Sequence, residues 1–167
     1  MLIILFRHGL AVETNDWNGD DATRPLTGDG ERKTRQAARG LAATLRGVEL
    51  LAHSPKTRAV QTAQLVHAAF KRQPALQEWP ELATDDFAAW LHQLRAANVA
   101  SAILVGHEPD LSAFASLLLV GSPESIAMEF KKAGALALDV APDMARATLL
   151  WFLASRQLRA LGGDFDV

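Results

Sequence analysis

Arginine and histidine side chains follow three apolar segments of the sequence, and together these residue types could bind and transfer a phosphoryl group. Arg7 and His8 come directly after the first apolar run, and His53 and His107 end two later ones. A neutral imidazole can act as a nucleophile, and guanidinium groups match the oxygens of a phosphate. A single histidine is more often packed or solvated, so the pattern predicts a site only if the three segments end at one place.

Two further arginines lie where helices are predicted to begin. Arg58 falls in the first turn of one predicted helix, and Arg24 comes just before Thr27, the predicted N-cap of another. A cation at a helix N-terminus opposes the helix dipole, and a bound anion would remove that conflict. The alternative is that Arg58 points into water. With an anion present, Arg7, Arg24 and Arg58 could surround one phosphate.

Three other features have both a functional and a structural interpretation. Arg7, at the end of a buried strand, needs either a ligand anion or a structural carboxylate as its partner. Gly9 allows a ligand to approach the backbone closely, or it serves a turn. The polar segment 13–23 is either a functional loop or a mobile surface loop.

The segments that must position these residues alternate between strands and helices. Apolar runs predict strands at 1–6, 48–53, 100–107, 134–141 and 147–153, with the last two paired through a turn at 141–146. Helices are predicted from Thr27 to Gly47, from Ser54 and Pro55 to Phe70, and at 85–98, 109–120 and 155–161. This order predicts an α/β sandwich with a mostly parallel sheet, in which ligands bind beyond the carboxyl ends of the strands.

Length and composition limit the classes of function. A chain of 167 residues predicts one domain, 1–167. A net charge of −2 argues against a nucleic-acid binder, and the absence of cysteine excludes disulfides and thiolate chemistry. The sequence contains neither a signal peptide nor an apolar run long enough to span a membrane, so a cytoplasmic protein is expected.

Four motifs in the sequence resemble those of the histidine phosphatase superfamily, in the same order. They are RHG after the first strand, RPLTGDG, SPKTRAVQTA and LVGHEPDLS. The size and motifs are most similar to the small SixA-like phosphohistidine phosphatases. The resemblance implies a phosphoglycerate mutase-like fold, which is a three-layer α/β sandwich with helices on both faces of a mostly parallel sheet.

The resemblance also implies roles for individual residues. His8 would be the nucleophile, and Arg7, Arg58 and His107 would form the phosphate pocket, with Arg24 near its rim. One nitrogen of His8 would attack phosphorus while the other donates to a backbone carbonyl, and a protonated His107 would stabilise the developing charge. Water would then hydrolyse phospho-His8. The scheme requires no metal and no organic cofactor.

The proton donor for the leaving group stays open at this point. Glu81, like Gly9, is predicted to contact the substrate, and Glu13, Asp85 and Asp86 are further candidate acids. Glu108 stands where the small branch commonly has asparagine, and it could favour a protonated His107 or point to solvent.

A site without a strong acid suits phosphohistidine better than a phosphate ester, because imidazole leaves more easily than an alkoxide. The predicted substrate is therefore phosphohistidine on a protein. The alternatives are a small phosphate ester, a non-catalytic phosphoprotein-binding module, and a metal hydrolase using His8, His53 and His107. The sequence has no His-Glu-x-x-His segment to support a metal site, and His53 matches no functional position of the family. It does not predict the oligomeric state.

Overall fold

The computed structural model of the chain describes residues 1–163, and it contains a single six-stranded sheet. The strands are β1 (Leu2–Arg7), β2 (Leu50–His53), β3 (Ala75–Glu78), β4 (Ser101–Gly106), β5 (Ala135–Val140) and β6 (Ala147–Leu153). The helices are α1 (Gly28–Thr44), α2 (Thr57–Ala69), α3 (Phe87–Ala97), α4 (Asp110–Val120) and α5 (Ser155–Leu161). The predicted single domain, 1–167, remains a prediction, because residues 164–167 lie outside this range.

The strands follow the order β3-β2-β4-β1-β5-β6 across the sheet. Strands β1, β2, β3 and β4 pair in parallel, with Leu2 opposite Ser101 and Arg7 opposite Gly106. Strand β5 pairs antiparallel with both β1 and β6. The mostly parallel sheet and the late antiparallel pair agree with the sequence-based prediction.

Alternate residues of β1 pack into two separate cores, one on each face of the sheet. Ile3 and Leu5 belong to the core that includes side chains of α3 and α4. Ile4 and Phe6 belong to the core that includes side chains of α1, α2 and α5. A strand buried on both faces has no polar positions, which explains the unbroken apolar run near the start of the chain. The predicted three-layer α/β sandwich is confirmed.

Helices α1 and α5 cross at a glycine. A Cβ atom at Gly40 would lie 1.6 Å from the carbonyl oxygen of Leu158 and 2.6 Å from its carbonyl carbon. Because those atoms belong to the backbone, no side-chain rotation could relieve the overlap. Gly40 therefore sets how closely α5 packs against α1.

Two elements differ from the sequence-based prediction. Strand β3 was not predicted, since its four residues are exposed at the edge of the sheet and lack an apolar pattern. Helix α2 begins at Thr57 with Lys56 at the N-cap position, so the prediction that Ser54 caps this helix is wrong. The N-cap predicted for α1 is confirmed, since the Thr27 hydroxyl accepts from the Gly30 N–H at 2.9 Å.

The polar segment 13–23 is partly ordered by two short 3₁₀ helices, Thr14–Asp16 and Asp21–Thr23. The Asp20 carboxylate caps the second of them by accepting from the Ala22 N–H at 2.8 Å. This local structure fixes the position of Asp21, which contacts residues of the site.

Candidate active site

The carboxyl ends of three adjacent strands bring together the histidines and arginines singled out in the sequence. Strand β4 lies between β1 and β2. The His8 N–H donates to the Gly106 carbonyl at 3.1 Å, and the Ser54 N–H donates to the Val105 carbonyl at 3.1 Å. The residues that follow β1, β2 and β4 therefore meet at one edge, and the ring centroids of His8 and His107 lie 5.1 Å apart.

One ring nitrogen of His8 is fixed by the backbone, as the phosphohistidine scheme requires. Nδ1 lies 2.8 Å from the Gly9 carbonyl oxygen, which can only accept, so Nδ1 carries the proton. The residue is 4 % exposed. Burial, followed by the positive charge of Lys132, lowers the pKa of His8 to about 2. The ring is therefore neutral at physiological pH, and its Nε2 lone pair is available for attack.

His107 pairs with a serine that the sequence did not identify as part of the site. Its Nε2 lies 2.8 Å from the hydroxyl oxygen of Ser54, and both residues are buried. Burial, and next the charge of Arg58, lowers the pKa of His107 to about 3. His107 is thus neutral in the free protein, which differs from the protonated form expected from the sequence. The only signal for Ser54 was its place in the SPKTR motif, and the same pattern also fits a helix cap.

Arg58 and Arg24 share a carboxylate from the polar loop. The Arg58 guanidinium is 6 % exposed, donates to Asp21 Oδ2 at 3.0 Å, and also donates to the Asp21 carbonyl at 2.7 Å. Arg24 donates to Asp21 Oδ1 at 2.9 Å and to the Val12 carbonyl at 2.6 Å. The contact of Arg58 with a bound phosphate stays a prediction, since its observed partner is a carboxylate of the chain itself, and the alternative that Arg58 points into water is wrong.

The Asp21 carboxylate is strongly acidic as a result. Its limited burial acts to raise the pKa, but hydrogen bonds from Arg24 and Arg58 outweigh this and lower the pKa to about 2. The Asp21 side chain is 46 % exposed, so it lies on the solvent side of the two arginines with which it pairs.

Arg7 lies between a carbonyl group and a half-buried carboxylate. Its guanidinium donates to the Phe130 carbonyl. The carboxylate of Glu108 stabilises the charge on Arg7 and accepts from the Ser112 hydroxyl at 2.5 Å. Burial raises the pKa of Glu108, while Ser112 and Arg7 lower it. Glu108 therefore acts on Arg7 through its charge, and the ligand anion that the sequence predicted as one possible partner of Arg7 stays a prediction.

Gly9 is required by packing. A Cβ atom there would lie 2.1 Å from the Thr34 hydroxyl oxygen of α1. The Gly9 N–H donates to the Thr62 hydroxyl at 3.0 Å, and that hydroxyl donates to the Arg58 carbonyl at 2.7 Å. Thr62 thus links the loop that holds His8 to the helix that holds Arg58. The predicted contact of Gly9 with substrate stays a prediction.

Two of the four candidate acids form hydrogen bonds with other parts of the chain. Glu81 Oε1 accepts from the Gln93 amide of α3 at 2.9 Å. Asp86 caps α3 by accepting from the Ala89 N–H at 3.0 Å, in agreement with its predicted place at a helix N-terminus. The roles proposed for Glu81, Glu13 and Asp85 in the reaction stay predictions.

Three of the predicted pocket residues have buried nitrogen atoms with no hydrogen-bond partner in the described part of the chain. They are Nε of Arg7, Nε of Arg58 and Nδ1 of His107. A neutral His107 that accepts from Ser54 at Nε2 carries its proton on Nδ1, so all three atoms can donate. Unpaired buried donors are costly, and an oxyanion is the chemical group that satisfies several of them together.

Other kinds of site find no support in residues 1–163. No group of three or more histidine, cysteine, aspartate or glutamate side chains in this range is arranged to hold a metal ion. His53 Nδ1 lies 3.0 Å from the Ser54 carbonyl oxygen. Among the same residues, no helix has the length and apolar character needed to cross a bilayer.

Known proteins resemble this chain in sequence and in fold. An uncharacterized protein of Picosynechococcus sp. is 37 % identical over 142 residues, covering 83 % of this chain and 84 % of its own length. The protein histidine phosphatase SixA, solved with tungstate, superposes with a TM-score of 0.80 at 24 % identity, over 95 % of this chain and 99 % of that one. The α-ribazole phosphatase of Shigella flexneri gives a TM-score of 0.71 at 19 % identity, over 93 % and 97 % of the two chains.

The sequence model of one family matches the segment that carries RHG, RPLTGDG and SPKTRAVQTA. The match spans residues 3–104 and is to the histidine phosphatase superfamily (branch 1). The structural neighbours named above are phosphatases built on the same fold. The predicted enzyme class is therefore confirmed, and the chain belongs to the histidine phosphatase superfamily.

Proposed function

We propose that this phosphatase uses His8 as its nucleophile and removes phosphate from phosphohistidine on a protein. The observation that carries the proposal is the fixed tautomer of His8, whose Nδ1 is held by the Gly9 carbonyl at 2.8 Å. With that nitrogen protonated, Nε2 is free to attack phosphorus in line with the leaving group.

The reaction has two steps. In the first, His8 Nε2 forms a bond to phosphorus while the bond from phosphorus to the substrate imidazole breaks, and the substrate ring, which carries a proton on its other nitrogen, leaves as neutral imidazole. In the second, water attacks the phosphorus of phospho-His8, the P–Nε2 bond breaks, and inorganic phosphate is released. Arg7, Arg58 and His107 surround the equatorial oxygens, where they stabilise the charge that develops in each transition state.

The carboxylates around the site support phosphohistidine as the substrate. Asp21, with a pKa of about 2, is a poor proton donor at neutral pH. Glu81 Oε1 is hydrogen-bonded to Gln93. Burial raises the pKa of Glu108, so among these carboxyl groups Glu108 is the one that an ester substrate would need as its proton donor. An alkoxide leaving group needs a proton, whereas imidazole has a conjugate acid of pKa about 6.5 and leaves more readily. A small phosphate ester is the second candidate, and the resemblance to α-ribazole phosphatase makes it the alternative to test.

The His8→Ala variant tests the proposed nucleophile. Turnover should fall by at least about a thousandfold, because no other group can form the phosphoenzyme. Rapid quenching should trap acid-labile phosphate on the wild-type protein and none on the variant. His53→Ala is the matched control, since His53 is also buried at a strand end but pairs with Ser54, and it should keep most of the activity. Near-normal turnover by folded His8→Ala would remove this mechanism, whereas binding of phosphoproteins without turnover by the wild-type protein would leave a phosphoprotein-binding module as the better description.

A side-by-side assay tests the substrate. The kcat/KM for a phosphohistidine protein should exceed that for phosphoserine and other small esters by at least about tenfold, or roughly 1.4 kcal/mol of transition-state stabilisation. Glu81→Gln should have little effect on phosphohistidine hydrolysis, because a substrate ring that is protonated on its other nitrogen leaves as neutral imidazole without a proton from the enzyme. If one ester is turned over much faster than every phosphohistidine substrate, and Glu81→Gln stops that reaction, the esterase function replaces this one.

A further inference from the structure

A tight turn at 131–134, just before β5, is attached to the residues at the end of β1. The Ala133 N–H donates to the carbonyl oxygens of both Arg7 and His8, at 3.2 Å each. The first and last residues of the turn are joined by a hydrogen bond of 2.8 Å. Lys132 is therefore carried on a short piece of backbone that is anchored beside the proposed nucleophile.

The two neighbouring lysines of this turn have different surroundings. Lys131 is 63 % exposed and pairs with Glu129 at 2.5 Å on the surface. Lys132 is half-buried. Burial, together with the charges of three arginines, lowers the pKa of its ammonium group to about 8, while the charge of Glu13 acts to raise it. Those arginines are Arg7, Arg24 and Arg58.

The positive charge of Lys132 affects the pKa values of both histidines of the site. It lowers the pKa of His8 more than any cause except burial, and it also lowers the pKa of His107. Like charges at close range repel, and partial burial reduces the screening by water. Lys132 and these three arginines repel one another, and an anion bound near them would offset that repulsion; the Asp21 carboxylate is bound by two of the arginines.

We propose that the ammonium group of Lys132 binds the phosphoryl oxygens of the substrate, together with Arg7, Arg24 and Arg58. This inference rests on the proposed function of the same site. The arginines present planar forks of fixed geometry, whereas the lysine is a flexible point charge that can follow the oxygens as the phosphoryl group moves from leaving group to His8. Lys132 thereby contributes to holding the charge of the transferred group in both steps.

Tungstate binding, measured by titration calorimetry at neutral pH, tests this assignment without requiring turnover. Lys132→Met should raise the tungstate Kd at least about tenfold, because a charge-assisted contact to a dianion is lost. Lys131→Met removes the same charge from the same turn and should change the Kd by less than about twofold. Lys132→Arg keeps the charge and should restore most of the affinity.

The pH dependence of tungstate binding separates a direct contact from a structural role. The ionisable groups that face Lys132 are His8, Glu13, His107 and the three arginines. Both histidines are neutral and the arginines charged between about pH 6.5 and 9.5, so Lys132 is the group of this set that titrates there. The wild-type affinity should decline above about pH 8 as the ammonium group loses its proton, and Lys132→Arg should show no such decline.

The outcomes distinguish this proposal from the proposed function. If the wild-type protein binds no tungstate, the phosphate pocket itself is wrong, and the role of Lys132 is wrong with it. If the wild-type protein binds tungstate but Lys132→Met and Lys131→Met bind it equally well, only the assignment of Lys132 is overturned. If Lys132→Met does not fold, the pH series decides instead. The assignment of Lys132 is overturned if the tungstate affinity of Lys132→Arg declines above about pH 8 as much as that of the wild-type protein.

Discussion

At the scale of single residues, the site combines groups that the sequence could identify with groups that it could not. Polar side chains that directly follow an apolar run are costly to bury, and this makes Arg7, His8 and His107 stand out. Arg58 stands out because a cation near a helix N-terminus opposes the helix dipole. The contact between Asp21 and Arg58 is invisible in the sequence, since it joins residues 37 positions apart and depends on how the loop folds. Ser54 was misassigned for a related reason, because a serine before proline fits a cap as well as a buried hydrogen bond.

Asp21 competes with an incoming oxyanion for the same two arginines. Asp21→Asn removes the negative charge that now pairs with Arg24 and Arg58, so the tungstate Kd should fall about threefold or more. Asp16→Asn removes an equal charge from the exposed part of the same loop and should leave the Kd nearly unchanged. A weaker affinity in Asp21→Asn would mean that the carboxylate chiefly orients the arginines.

At the scale of elements, the predictions succeed where burial produces a pattern and fail where it does not. Strands β1, β2 and β4 are buried on both faces, so their apolar runs predict them to within a few residues. Strand β3 is exposed along its whole length and contains no run of this kind. The short helix predicted after the last strand is observed at the same bounds, as α5.

The crossing of α1 and α5 makes a specific prediction about stability. Gly40→Ala should destabilise the protein by about 1–3 kcal/mol in urea unfolding, because the new methyl group overlaps the backbone of Leu158 and forces α5 away. Gly28→Ala lies in the first turn of the same helix, where nothing lies within 4 Å of the new Cβ, and it should be neutral or slightly stabilising. If Gly40→Ala and Gly28→Ala lowered the free energy of unfolding equally, the cause would be the changed backbone of α1 and not the overlap with Leu158.

At the scale of the whole molecule, burial of two neutral histidines couples folding to pH. The pKa values of His8 and His107 are about 2 and about 3 in the folded protein, against about 6.5 for an unfolded histidine. Between the folded and the unfolded pKa values of each histidine, the unfolded chain therefore binds more protons than the folded protein. The two neutral histidines should make their full contribution to the free energy of unfolding above about pH 6.5. Below that pH, the free energy of unfolding should decline by up to about 1.4 kcal/mol per pH unit for each histidine.

Urea unfolding at a series of pH values from about 7 to about 5 measures this decline. His107→Asn should lower its slope by the contribution of one proton, provided that the variant folds at neutral pH. A slope that is the same in His107→Asn and in the wild-type protein would show that other groups carry the acid sensitivity.

The position of β1 in the sheet has a consequence for synthesis of the protein. This strand is synthesised before its neighbours β4 and β5, which lie about 100 and about 130 residues further along the chain. At roughly 5–20 residues per second, the apolar segment Leu2–Phe6 waits several seconds for its partners. During that interval the nascent chain contains an unpaired apolar strand segment, and the sheet edge that brings His8 and His107 together does not exist. Phosphatase activity should therefore appear only after most of the chain has been translated. A product truncated before β4 and β5 should have no activity.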